Sequence, residues 1–220
     1  MTGHNLTINC EKALLFSDIH CRTGGVCDPL MKLLKVASKE SIDCLIILGD
    51  LFDDLHERMD SMTLKREMLQ LGFKEYRGRH ILYTPSSSSH DPIVGKSEFE
   101  LNGVKVYVDK VIKASLGDLN LCLTHGDMLV PNGAVAYAIN AISALAGKSL
   151  LLEELTKRRI CSSSAWFFMG HTHIPGLDPA RRLGNPGSWR REWRGRVPYW
   201  RRPSNSAILY EGKRFRLVFL

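Results

Sequence analysis

The chain lacks a long apolar run. Among its 220 residues the longest uncharged stretch, Met128–Gly147, is interrupted by Pro131, Asn132, Gly133 and Asn140. A spanning helix needs about 20 predominantly apolar residues, so no membrane span is expected. The opening residues, MTGHNLTINCEK, carry no basic stretch followed by an apolar one, which points away from a secretory leader. No internal repeat is visible. Cysteine is sparse and scattered: Cys10, Cys21, Cys27, Cys44, Cys122 and Cys161 stand singly, several inside apolar runs. That pattern predicts buried reduced thiols and a cytoplasmic setting rather than a disulfide framework. Cys21 and Cys27 are the nearest pair, and their separation is not a usual zinc spacing.

What is present is an ordinary globular composition. With 44% apolar and 24% charged residues the chain can bury a sizeable core, enough for one domain or one domain with an insertion. The net charge of +7 is not spread evenly. Between Arg181 and Arg202 stand eight arginines against one acid, Glu192, which accounts for the whole excess. Trp189, Trp193, Tyr199 and Trp200 are interleaved with them.

Buried strands are predicted at 12–17, 44–48 and 81–83, and shorter ones at 104–108, 121–124 and 166–169. Helices are predicted over 28–40, where Leu30, Leu33, Leu34 and Ala37 form one face behind Asp28-Pro29, and over 57–72, ending at Gly72. Two more, at 133–147 and 149–159, lie between strands and mark 128–160 as a helical insertion within a single domain spanning 1–220. The face Val135, Ile139, Ile142 and Leu145 is expected to be core. Were it exposed, it would form an apolar cap beside the arginines. SAILYEG and RFRLVFL read as a C-terminal hairpin. Strand and helix alternate early while strands dominate late, which predicts a layered α/β or α+β sandwich rather than a bundle.

Five strands end in acids or histidines. LLFSDIH supplies Asp18 and His20, LIILGDLFD supplies Asp50 and Asp53, and ILYTPSSSSHD supplies His90 and Asp91. LCLTHGD supplies His125 and Asp127, and FFMGHTH supplies His171 and His173. Each alone reads as a loop, a helix start or a surface turn. Together, each behind a strand, they converge at the edge where layered α/β proteins bind ligands. Imidazole and carboxylate side by side suit zinc, manganese or iron, and a shared carboxylate between two ions makes a clamp for phosphoryl transfer.

In order and spacing these blocks resemble the calcineurin-like metallophosphoesterases, from Asp18 to His173, with NPGS at 185–188 resembling the run after GHTH. The resemblance implies an α/β four-layer α/β/β/α sandwich and a hydrolase of a phosphodiester or pyrophosphate. It implies two divalent ions, manganese first, with zinc, iron and nickel as alternatives. Asp18, His20 and His173 would hold one ion, Asp50 would bridge, and His125 and His171 would hold the other. Asp53 would orient a ligand. His90 would protonate the leaving oxygen with Asp91 holding its orientation.

The chain departs from the family at the third block, where Gly-Asn-His-Asp/Glu becomes Ser88-Ser89-His90-Asp91. Ser89 replaces an amide ligand with a shorter, weaker hydroxyl, which predicts a looser second ion. The arginine–tryptophan segment reads as a solvated loop, as a nucleic-acid surface with Trp189, Trp193 and Trp200 stacking bases, or as a wall of the site. In the last reading Arg190 and Arg191, with Ser89, contact an anionic substrate. Other functions to weigh are a nuclease, an enzyme similar to the UDP-diacylglucosamine pyrophosphatases, and a degenerate metal-binding module.

Overall fold

The computed structural model describes residues 6–53, 56–87, 90–193 and 197–220, without the side chain of Trp193. The chain opens with β1 (Leu6–Ile8), β2 (Lys12–Phe16), α1 (Asp28–Lys39), β3 (Cys44–Ile47), α2 (Ser61–Leu71) and β4 (His80–Tyr83). Four strands follow: β5 (Ser97–Leu101), β6 (Val104–Val108), β7 (Val111–Leu116) and β8 (Leu119–Thr124). Then come α3 (Gly133–Leu145), α4 (Leu151–Ile160), β9 (Trp166–Phe168), β10 (Gly176–Asp178) and β11 (Leu183–Asn185). A short ribbon, β12 (Glu192–Trp193) and β13 (Val197–Pro198), precedes the hairpin β14 (Ser206–Glu211) and β15 (Arg214–Phe219).

The larger sheet runs β15-β14-β2-β3-β4-β6-β5, and the second β1-β7-β8-β9-β11-β10. Alternation along the strands explains how they stack. Leu14, Phe16, Leu45, Ile47, Ile81 and Tyr83 face α1 and α2 in one core. Ala13, Leu15, Ile46 and Leu82 point the other way, onto Ile112, Leu121, Leu123 and Phe168 of the second sheet. That sheet's far face, with Cys122, Phe167 and Leu183, packs against Ala136 and Leu152 of α3 and α4. Three buried layers of side chains therefore separate four layers of elements, α/β/β/α. Each fully buried Leu, Ile or Phe contributes roughly 1.5–3 kcal/mol of transfer free energy.

α1 buries the four residues whose spacing predicted it, with Pro29 in its first turn, where a missing N–H costs nothing. α2 starts at Ser61, later than its periodicity predicts. Asp60 stops it by accepting the backbone N–H of Thr63 at 2.7 Å, and Gly72 ends it at φ 111°.

Two expectations are overturned. On α3, Val135, Ile142 and Leu145 are 49%, 68% and 91% exposed. The helix instead turns Ala136 and Asn140 inward. Asn140 is held there because its amide N–H donates to Glu153 at 2.7 Å and its carbonyl accepts from Leu152 N at 2.9 Å. A satisfied polar anchor thus outweighs the apolar stripe. The cysteines also pair, Cys10 with Cys44, Cys21 with Cys27 and Cys122 with Cys161. Two of the pairs join residues 34 and 39 positions apart and one joins residues six apart, so scattered placement did not mean free thiols, and the compositional ground for a reduced, cytoplasmic setting falls away. No helix among the described residues is long and apolar enough to cross a membrane.

Candidate metal centre

β2, β3 and β4 are parallel neighbours, and so are β8 and β9. Their carboxyl ends open toward one edge, and the five polar blocks leave from there. Asp18 N–H donates to Gly49 O at 3.1 Å, Ile19 and His20 N–H both donate to Asp50 O at 2.9 Å, and Gly170 N–H donates to His125 O at 3.0 Å. These bonds knit the strand ends into one rim. They also hold the backbone of Asp18, His20, Asp50, His171 and His173 at φ between 47° and 65°. A non-glycine residue there costs on the order of 1 kcal/mol, and five of the eleven described non-glycine residues at positive φ lie in these blocks. Two glycines are sterically required. A Cβ on Gly49 would lie 2.3 Å from the His125 ring, and one on Gly170 would lie 2.6 Å from Asp18 Oδ2.

Asp18, His20, Asp50 and His173 each present a ligand atom within 4.8 Å of the others'. His173 Nε2 lies 2.9 Å from Asp18 Oδ1, and His20 Nε2 lies 3.5 Å from Asp50 Oδ2. Asp50 Oδ1 faces His125 Nε2 at 3.6 Å, so its two oxygens look toward two different histidine groups. In the second group His125 Nδ1 donates to Leu48 O at 2.9 Å and His171 Nε2 donates to Val130 O at 2.7 Å. A carbonyl only accepts, so both tautomers are fixed. The remaining nitrogens, His125 Nε2 and His171 Nδ1, stand 3.2 Å apart. Metal-bound histidines carry this kind of second bond to a carbonyl.

The centre fits cations. Beyond these close His–carboxylate contacts, Asp18 Oδ1, both ring nitrogens of His20 and Asp50 Oδ1 are buried with no other partner among the described residues, a costly arrangement unless an ion completes it. Burial pushes His20 down to about 4, against the pull of Asp50, so its ring is neutral and able to ligate. Burial also opposes ionisation of Asp50, yet His125 and His20 bring it down to about 2. For His125, burial is outweighed by Asp50, Asp18 and Asp127, which push it up to about 9.

Around this centre Asp53 is a hub. Its Oδ1 lies 3.3 Å from His20 Nδ1 and 3.5 Å from His90 Nδ1, and accepts from the Arg190 guanidinium at 3.0 Å. His90 Nδ1 also donates to Asp53 O at 3.0 Å. Asp91 does not hold His90. Its buried carboxylate accepts the N–H groups of Asp50, Phe52 and Ser86 at 2.7, 3.0 and 2.8 Å, tying the third block to the second. Among the described residues His90 Nδ1 therefore faces Asp53 rather than Asp91. Ser89 lies outside the described residues, as do Arg194 and Arg196 of the basic segment.

That segment divides. Arg190 is 4% exposed and ion-paired to Asp53, whereas Arg191 points to solvent. Trp189 is fully buried, its indole N–H donating to Ser206 O at 2.8 Å and its backbone N–H to Asp18 O at 3.0 Å. It belongs to the core and cannot stack a base. Sequence reasoning missed a second buried network. Asn185 donates to Glu153, Gly170 O and Thr172 at 2.8, 2.8 and 2.9 Å, and Thr172 donates to Glu153 at 3.0 Å. This fastens α4 to the turn carrying His171 and His173. The only sequence signal was the NPGS run at 185–188, which is part of the resemblance.

A layered α/β/β/α fold with histidines and carboxylates at paired strand ends defines a hydrolase acting on phosphate ester bonds. Residues 12–200 match the calcineurin-like phosphoesterase superfamily domain, and the chain belongs to that superfamily. No curated protein matches it. Among solved structures it is similar to a novel archaeal phosphodiesterase at 15% identity, over 95% of this chain and 99% of that one, with a TM-score of 0.50. It is also similar to vacuolar protein sorting 29 from Cryptosporidium parvum at 12% identity, over 96% and 97%, with a TM-score of 0.50. Yfce, a phosphoesterase from E. coli, aligns at 17% identity over 94% and 92%, with a TM-score of 0.49. At these identities the likeness is one of fold.

Proposed function

We propose that the protein hydrolyses a phosphodiester or pyrophosphate using two divalent ions, manganese first. Asp18, His20 and His173 would hold one ion, His125 and His171 the other, and Asp50 would bridge. The observation that carries this reading is the division of Asp50, one oxygen toward His20 and the other toward His125. When bound, such ions make water acidic enough to attack at neutral pH and neutralise phosphate oxygens.

The chain's own residues do the rest. His90, with Nδ1–H committed to Asp53, presents Nε2 for the proton that the departing oxygen needs as the P–O bond breaks. Asp53 aligns His20 and His90 together, and Arg190 pins Asp53 from behind. Trp189 is buried and cannot stack a base, whereas Trp200 is 60% exposed, so the nucleic-acid reading loses one of its three rings.

The test is hydrolysis of bis-p-nitrophenyl phosphate by manganese-loaded protein and by Asp50→Asn. Turnover in the wild type that disappears in the variant supports the reading. No turnover of any mono- or diester with Mn²⁺, Zn²⁺, Ni²⁺ or Fe²⁺ overturns it.

A further inference from the structure

A cavity of about 480 Å³ adjoins the metal centre, sharing His173 and Arg190 with it. Its wall includes Tyr137 and Ala141 of α3, Tyr199 and Arg201. No acidic side chain lines it among the described residues. Arg201 is the unusual member. Its guanidinium carbon sits 3.7 Å from the centre of the Tyr137 ring and 4.4 Å from that of Trp200. Tyr137 and Trp200 are themselves in edge contact, with centroids 5.6 Å apart. The cation is therefore fixed against two rings. Ring faces stabilise the positive charge, but they do not accept the in-plane N–H bonds. Arg201 Nε and Nη2 are buried and have no hydrogen-bond partner among the described residues. Two adjacent buried donors on one edge of a guanidinium match the paired oxygens of an anion, and leaving them unmet is costly.

The Tyr199 ring spans the gap, 5.9 Å from the His173 ring and 5.7 Å from the Arg201 guanidinium carbon. His173 of the metal centre and Arg201 line the same cavity, so one extended ligand would reach both. We infer that this cavity is the subsite for a second phosphate, making the substrate class pyrophosphate esters rather than simple diesters. Water attacks one phosphorus, the P–O–P bond breaks, and the departing phosphate oxygen takes the proton. The apolar wall from α3 receives the organic part. This inference rests on the phosphoesterase reading of the metal centre.

The test compares methylenediphosphonate with methylphosphonate, titrated calorimetrically into manganese-loaded wild-type and Arg201→Met protein. Chelation by the ions is common to both proteins, so the change in preference isolates Arg201. The preference for the diphosphonate should fall roughly 10- to 100-fold in the variant, the worth of a charge-assisted pair. An unchanged preference, or equal weakening of both probes, overturns the proposal. Should Arg201→Met fail to fold, Tyr137→Leu removes the ring that holds the cation and should lower the preference several-fold. The same ratio can be read on metal-free protein, so failure to bind manganese or to hydrolyse any ester would strike the phosphoesterase reading and leave Arg201 separately testable.

Discussion

His125 Nε2 and His171 Nδ1 face each other across 3.2 Å while the other nitrogen of each ring is committed to a backbone carbonyl. Two acceptor nitrogens at that distance need a proton or a cation between them. In the metal-free protein Asp50, Asp18 and Asp127 outweigh burial and keep His125 protonated up to about 9.

The consequence is a proton count. A ligating histidine must be neutral, so manganese binding at pH 7.5 should release about one proton. Calorimetry in two buffers of different ionisation enthalpy reads this directly. The sign for stability is also fixed. A folded value above the ordinary 6.5 means that the His125 contribution is complete below pH 6.5 and is lost as pH rises toward 9. Metal-free protein should lose melting temperature across that window, and metal-loaded protein should lose less. Identical slopes for the two forms would contradict the assignment.

His90→Ala should lower kcat by roughly 10²- to 10⁴-fold, the usual contribution of a positioned general acid. Its metal content, measured by elemental analysis, should match the wild type, because His90 lies outside the group Asp18, His20, Asp50 and His173 and meets it through Asp53 and the edge of His20. Full activity in this variant would remove the role.

Ser89 stands where the family has an asparagine, so the two ions should bind unequally. Titration of metal-free protein should resolve a tight and a weak event, and Ser89→Asn should strengthen the weak one. Two equally tight events in the wild type would remove the argument.

Asn185→Ala should deprive the buried Glu153 carboxylate and Gly170 O of a shared donor. The expected loss is roughly 2–3 kcal/mol in urea unfolding. Metal affinity should fall roughly 10- to 100-fold, since this network supports the turn that carries His171 and His173. A variant as stable and as metal-avid as the wild type would show that the network only fills space.

The sequence alone determined the layered α/β class, the strands that are apolar on both faces, and the Asp and His blocks behind them. Those are local signals, because a strand's burial pattern and the residue types after it are written in consecutive positions. Tertiary structure alone decided the pairing of Cys10 with Cys44 and of Cys122 with Cys161, the inward face of α3 and the placing of His90 against Asp53 rather than Asp91. It also decided which parts of the arginine segment are buried. Each of those depends on partners far away in the chain: Asn140 is turned inward by Glu153 and Leu152, Trp189 by the strand that carries Ser206, and Arg190 by Asp53. A hydrogen bond between distant residues leaves no periodic trace in a sequence, yet for a buried polar group it is what selects the conformation.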